Sequence, residues 1–195
     1  MDFTISAYEE LLDALIDNGY SFQTFAGFLE SPEDKVVILR HDVDRLPLNS
    51  LEFAKIQARL DVKGVYYFRC VPVSWNESII KEISKLGHEV GYHYENMDIC
   101  KGNTEKAWEN FRLNLAKLRQ LVKVKTICMH GSPLSKYDNK DLWKKYNYKE
   151  LGIIGEPYYD IDFDEVFYLT DTGRRWDGWK VSVRDKVPQQ EEWFK

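Results

Sequence analysis

Four apolar runs, starting near residues 36, 64, 89 and 126, alternate with longer stretches whose apolar side chains recur at helical spacing. This alternation leaves few architectures open. Strands separated by helices pair in parallel through crossovers, which predicts an α/β sheet, either doubly wound or barrel-like. Residues 6–18 carry Tyr8, Leu11, Leu12, Leu15 and Ile16 on one helical stripe and stop at Asn18-Gly19. Phe22, Phe25, Phe28 and Leu29 form a second apolar set before Ser31-Pro32. Further helices are expected over residues 47–60, after an Asn76 cap and up to Gly87, and over residues 103–122. Beyond Met129 the pattern loosens, with a short helix expected at 141–146 and strands at 152–154, 166–170 and 181–183. No Gly-, Ser- or Pro-rich linker interrupts the chain, so residues 1–195 read as a single domain with residues 1–35 as a helical N-terminal extension.

Composition narrows the function classes. A net charge of −5 disfavours nucleic acid and anionic membrane surfaces, which select basic stripes. No apolar run approaches the roughly 20 residues needed to span a bilayer. The opening Met1-Asp2-Phe3-Thr4 lacks the basic-then-apolar order of a secretion signal. Three cysteines without a short-spaced pair (Cys70, Cys100, Cys128) read as reduced thiols, and a cytoplasmic location is expected.

The strand ends carry the chemistry. The first strand, Val36-Val37-Ile38-Leu39, runs into Arg40-His41-Asp42-Val43-Asp44. Residues i and i+2 of an extended chain point the same way, so Asp42 and Asp44 can converge, and two converging carboxylates call for a cation between them. The third strand runs into His93 and Glu95, and the fourth into His130-Gly131-Ser132-Pro133. A later segment brings Asp171, Arg174, Arg175 and Trp176. Parallel α/β folds gather functional groups at such C-terminal strand ends. Three of the four histidines lie there, while His88 precedes its strand and is expected to be structural. His41 is expected to orient the carboxylates beside it. A carboxylate with two imidazoles from neighbouring strand ends suits Zn²⁺ or a related divalent ion.

These segments, Leu39 to Asp44, Gly87-His88-Glu89-Val90-Gly91-Tyr92-His93, His130-Gly131-Ser132-Pro133 and Asp171 to Trp176, together resemble the polysaccharide deacetylase (NodB-homology) superfamily. The resemblance implies a distorted, incomplete (β/α) barrel. It also implies a metal-dependent hydrolase that removes acetyl or related acyl groups from amides or esters, mostly on sugars. By order, Asp42 takes the place of the general base and Asp44 that of a metal ligand, although the intervening Val43 leaves the two roles exchangeable. His93 matches the first metal histidine. The second should fall four residues later, where the chain has Met97, so Glu95, Asp98 or His130 must complete the set, and His130 replaces imidazole by imidazole. The implied ion is Zn²⁺, with Co²⁺, Mn²⁺, Ni²⁺ or Fe²⁺ as substitutes. Pro133 matches the third motif, whose arginine is missing, so Arg174 or Arg175 is expected to hold the base. Asp171 is expected to buttress it, and Trp176 to wall the pocket with Tyr94 and Pro133. Trp75 and Tyr137 are further candidates for stacking on a sugar.

The family's last motif, a strand ending in a histidine that protonates the leaving group, has no counterpart, since no histidine follows His130. Three functions therefore compete. The first is deacylation of a small-molecule or oligosaccharide substrate. The second is a deacetylase-like scaffold that binds a glycan or protein without turnover. The third is a non-haem Fe(II) oxygenase, which shares the ligand types but is disfavoured by the helix–strand alternation. Oligomeric state is left open by the sequence.

Overall fold

The computed structural model describes residues 3–132 and 135–170. Its N-terminal part holds helix α1 (Ile5–Asp17), strand β1 (Ser21–Phe22), helix α2 (Phe25–Glu30) and strand β2 (Val36–Val37). There follow β3 (Leu39–Val43), α3 (Pro47–Arg59), β4 (Gly64–Phe68), α4 (Glu77–Lys85), β5 (Glu89–Tyr94), α5 (Asn96–Ile99), α6 (Thr104–Arg119) and β6 (Ile127–Met129). Two 3₁₀ helices (Asn139–Lys144 and Tyr148–Leu151) and α7 (Pro157–Asp160) close the described chain.

Local chemistry sets these boundaries. The hydroxyl oxygen of Thr4 accepts from the Ala7 N–H at 3.1 Å. Asn76 Oδ1 accepts from the Ile79 N–H at 3.2 Å and Asn103 Oδ1 from the Lys106 N–H at 2.9 Å, each satisfying a donor that the helix leaves open. Pro47 sits in the first turn of α3, where its missing N–H costs nothing. Gly87, at φ +89°, turns the chain from α4 into β5.

β3, β4, β5 and β6 pair in that order, all parallel, into a four-stranded sheet curled as a half-barrel. Its register aligns Val43 with Phe68, Tyr92 and Ile127. One face carries Val43, Tyr66, Phe68, Tyr92, Tyr94 and Met129 and packs on the apolar stripes of α4 and α6 through Ile80, Ile83, Phe111 and Leu118. Each of these large side chains contributes roughly 1.5–3 kcal/mol by leaving water. The opposite face carries Val65, Tyr67 and Cys128 and is covered by Phe25 and Leu29 of α2 with Tyr158 and Ile161. The site described below opens from that second face.

Gly91 in β5 makes the second face possible. The Tyr67 ring crosses over it to bring its hydroxyl 3.0 Å from Thr126 Oγ1, and a Cβ at Gly91 would occupy the space of that ring. Such a Cβ would also stand 2.9 Å from the Thr126 carbonyl oxygen, which cannot yield without breaking the sheet edge. A Gly91→Ala variant is therefore expected to lose about 1–3 kcal/mol by overpacking, seen as a lower urea midpoint. An unchanged midpoint would remove this explanation of the glycine.

Three expectations need correction. The first apolar run is split: Val36–Val37 pairs with Ser21–Phe22 in a separate two-stranded sheet, and only Leu39 onward enters the main one. The first 35 residues are thus not a purely helical extension. Residues 152–154 form no strand. Gly152, at φ +68°, ends a 3₁₀ turn, and the chain then meets β6 through a single bridge between Thr126 and Gly155, with Ile153 buried as core. Residues 166–170 also lack ladder pairing, and Tyr168 instead presents its hydroxyl to Arg40. The strand expected at 181–183 lies outside the described residues.

Candidate metal centre

The groups of interest sit at or just past the C-terminal ends of β3, β5 and β6. Asp44 follows β3, where its N–H turns back to the Asp42 carbonyl at 3.1 Å. His93 is the penultimate residue of β5, on the face opposite Tyr92 and Tyr94. His130 follows β6, with its N–H donating to the Tyr94 carbonyl at 2.8 Å and its own carbonyl accepting from Asn139 Nδ2 at 2.8 Å. The buried carboxylate of Glu156 accepts the Met129 N–H at 3.0 Å and so fixes the strand that delivers His130. Burial raises this carboxyl to about 7, although the Met129 and Tyr158 N–H groups favour its charged form.

Three ligand atoms meet. Asp44 Oδ1 stands 2.9 Å from His130 Nδ1 and 3.5 Å from His93 Nε2, and the two imidazole nitrogens are 3.3 Å apart. Bonds of about 2.0–2.1 Å at tetrahedral angles place neighbouring ligand atoms about 3.3 Å apart, so this triangle has the size of three corners around one ion. His93 Nδ1 lies 2.9 Å from the Cys128 carbonyl oxygen, which can only accept. The ring proton therefore resides on Nδ1 and the Nε2 lone pair faces the triangle, the usual orientation of a metal histidine. Asp44 Oδ1 is buried and receives no hydrogen bond. An orphaned oxygen facing imidazole nitrogens is costly unless a cation is shared, and one carboxylate with two imidazoles fits Zn²⁺, Co²⁺, Ni²⁺ or Fe²⁺.

Electrostatics agree with this placement. Burial works to raise the Asp44 carboxyl, but His130 and His93 outweigh it and hold the group well below the ordinary carboxylate range. Burial works to lower His93, and the Asp42 and Asp44 carboxylates outweigh that and raise it.

The other expected site residues separate into groups. Asp42 is partly exposed, with its carboxylate within 4.8 Å of His93 and of Cys128 Sγ, beside the triangle rather than in it. Its partner is Arg40, whose Nη2 is 3.3 Å from Asp42 Oδ2 and 3.2 Å from the Tyr168 hydroxyl. Arg40 belongs to the charge cluster that ends the first strand, and its pairing with Asp42, two residues on along the same side of the strand, is what the structure adds. Arg174, Asp171, Trp176 and Pro133 lie outside the described residues. Tyr94 does not face the site. It is fully buried on the helix-covered face, where it accepts from Trp143 Nε1 at 2.8 Å and donates to Glu156, because odd and even residues of β5 point to opposite faces.

His41, expected to orient the carboxylates, is likewise on the helix-covered face. It stacks on Tyr66 with centroids 4.4 Å apart and accepts from Gln57 Nε2 at 2.7 Å, and burial lowers it to about 4. His88 is structural in its contacts: Nδ1 accepts the Gly64 N–H and Nε2 donates to the Ala54 carbonyl. Met97 is buried core, so no ligand stands at that position. Asp98 is engaged by Ser135 and Asn139, and Trp75 packs against the core under the Lys117 ammonium. Glu95 forms a two-bond fork with Arg69, at 2.9 and 2.6 Å, a pair that the sequence did not disclose. A cleft of about 520 Å³ lined by Arg69, Glu95, Asp98, His130, Ser132 and Tyr137 opens beside the triangle.

The chain matches no protein-family model, and a search of curated proteins finds no match. No helix among the described residues is long and apolar enough to cross a membrane.

Proposed function

We propose that this chain is a divalent-metal-dependent deacylase, acting on an acetyl ester or amide of a carbohydrate-type substrate in the manner of the polysaccharide deacetylases it resembles. One observation carries the reading: Asp44 Oδ1, His93 Nε2 and His130 Nδ1 converge within 3.5 Å of one another, and the carboxylate oxygen among them lacks a hydrogen bond. A divalent ion held by these three residues supplies Lewis acidity, polarising an acyl carbonyl and lowering the pKa of water from 15.7 toward about 7.

The chain's own residues supply the remainder. Asp42, beside the triangle, accepts the proton from the attacking water at its carboxylate, and Arg40 fixes the direction of that carboxylate. The Cys128 carbonyl keeps the His93 proton on Nδ1, which leaves Nε2 free as a ligand. The adjoining cleft, with Ser132, Tyr137 and Arg69 on its walls, receives the substrate's hydroxyl groups. Asp42 then returns its proton to the leaving oxygen or nitrogen. An ester needs that proton less than an amide does, so ester hydrolysis makes the smaller demand on Asp42 as the returning acid. The cytoplasm, with its reduced thiols, is the compartment this reading adopts.

Protein loaded with Zn²⁺ or Co²⁺ is expected to release acetate from aryl acetates and acetylated oligosaccharides. The release should stop on chelation and resume when metal is restored. Metal-loaded protein that binds oligosaccharide but releases no acetate from any of them would replace this reading with the non-catalytic scaffold, which the core position of Met97 favours.

A further inference from the structure

We infer that the Arg69–Glu95 fork is a positioning clamp that sets the metal affinity of Asp44, an inference that rests on the metal-centre reading above. Asp44 is the ligand least secured by the sheet. It lies one residue beyond β3, and its N–H is spent on the Asp42 carbonyl two residues back. Its own carbonyl is held by Arg69 Nη1 at 3.3 Å. The other side of the same guanidinium is bound through Nε and Nη2 to both oxygens of Glu95, two residues beyond His93.

A single rigid, planar group thus spans the loops that follow β3 and β5 and fixes the separation of Asp44 from His93. Ser74 reinforces the junction, accepting the Arg69 N–H at 3.2 Å while donating to the Val43 carbonyl. The side chains of Arg69 and Glu95 are only 19% and 10% exposed, so the fork is shielded from competing water. Lysine carries the same charge but cannot make three bonds in one plane. Groups that orient metal ligands in this way typically govern affinity by 10–100-fold.

Two variants test the clamp: Arg69→Lys, and the double variant Arg69→Gln with Glu95→Gln, which leaves no buried charge unpaired. Co²⁺ affinity is measured by chelator competition, and ligand geometry by the visible absorption of the bound ion. The thermal midpoint of the metal-free protein serves as the folding control. Both variants are expected to keep that midpoint, to bind Co²⁺ roughly 10–100-fold more weakly, and to show an altered absorption band. Arg59→Lys, at the exposed Arg59–Glu9 pair, is expected to change none of these. Wild-type affinity and spectrum in both variants would overturn the clamp alone, as would an affinity loss that only tracks a fall in the midpoint. Wild-type protein that takes up no Co²⁺ would overturn the metal centre and the clamp together.

Discussion

An Asp42→Asn variant is expected to lose roughly 10²–10⁴-fold in acyl hydrolysis, the range that a positioned general base contributes, while still loading its metal ion. Asparagine keeps the shape of the side chain but cannot take a proton from water. The metal should remain because Asp42 stands beside the ligand triangle and is paired with Arg40 instead. Measuring kcat/KM on an aryl acetate alongside metal content separates the possible results. Full activity would remove Asp42 as the base. Loss of metal together with activity would make it a ligand and exchange its role with that of Asp44.

The second large effect is a stability gap that opens with metal. Without metal, the His130 and His93 imidazoles hold the Asp44 carboxyl below its ordinary range, so folding favours the carboxylate above that range and loses this support as the pH falls through it. Asp44→Ala loses that contribution, so metal-free Asp44→Ala is expected to melt somewhat below metal-free wild type at neutral pH. With metal at 1,000 times its Kd, wild type gains about 4 kcal/mol by mass action, and Asp44→Ala gains none. The gap between the two melting temperatures should therefore widen by the metal's contribution when Zn²⁺ is added. Equal shifts in both proteins would mean that the ion binds elsewhere.

Strand and helix positions were legible wherever burial or capping was unambiguous. The Gly64–Phe68 run is buried on both faces and reads as a strand by apolar content alone, and Asn76 and Asn103 announce the helices they cap. Residues 152–154 misled because Ile153 is buried by a turn rather than by a ladder, and hydropathy does not distinguish the two. In the site, His93 and His130 were legible because parallel sheets collect polar groups at strand ends. Alternation along β5 already opposed Tyr94 to His93, and the same count opposed His41 to Asp42, so those two corrections follow from pleating alone. Arg69 and Glu95 are 26 residues apart, and nothing local to either foretells the fork between them. The Arg40–Asp42 contact was within reach, since it needs only the two-residue period of the strand that carries both.

The shared ion is the claim on which the function, the clamp and the metal-dependent stability gap all depend. Anomalous scattering at the zinc edge from crystals grown with Zn²⁺ tests it directly. The expected result is one peak about 2.0–2.2 Å from each of Asp44 Oδ1, His93 Nε2 and His130 Nδ1. A peak at any other group of residues, or none at saturating Zn²⁺, would contradict it.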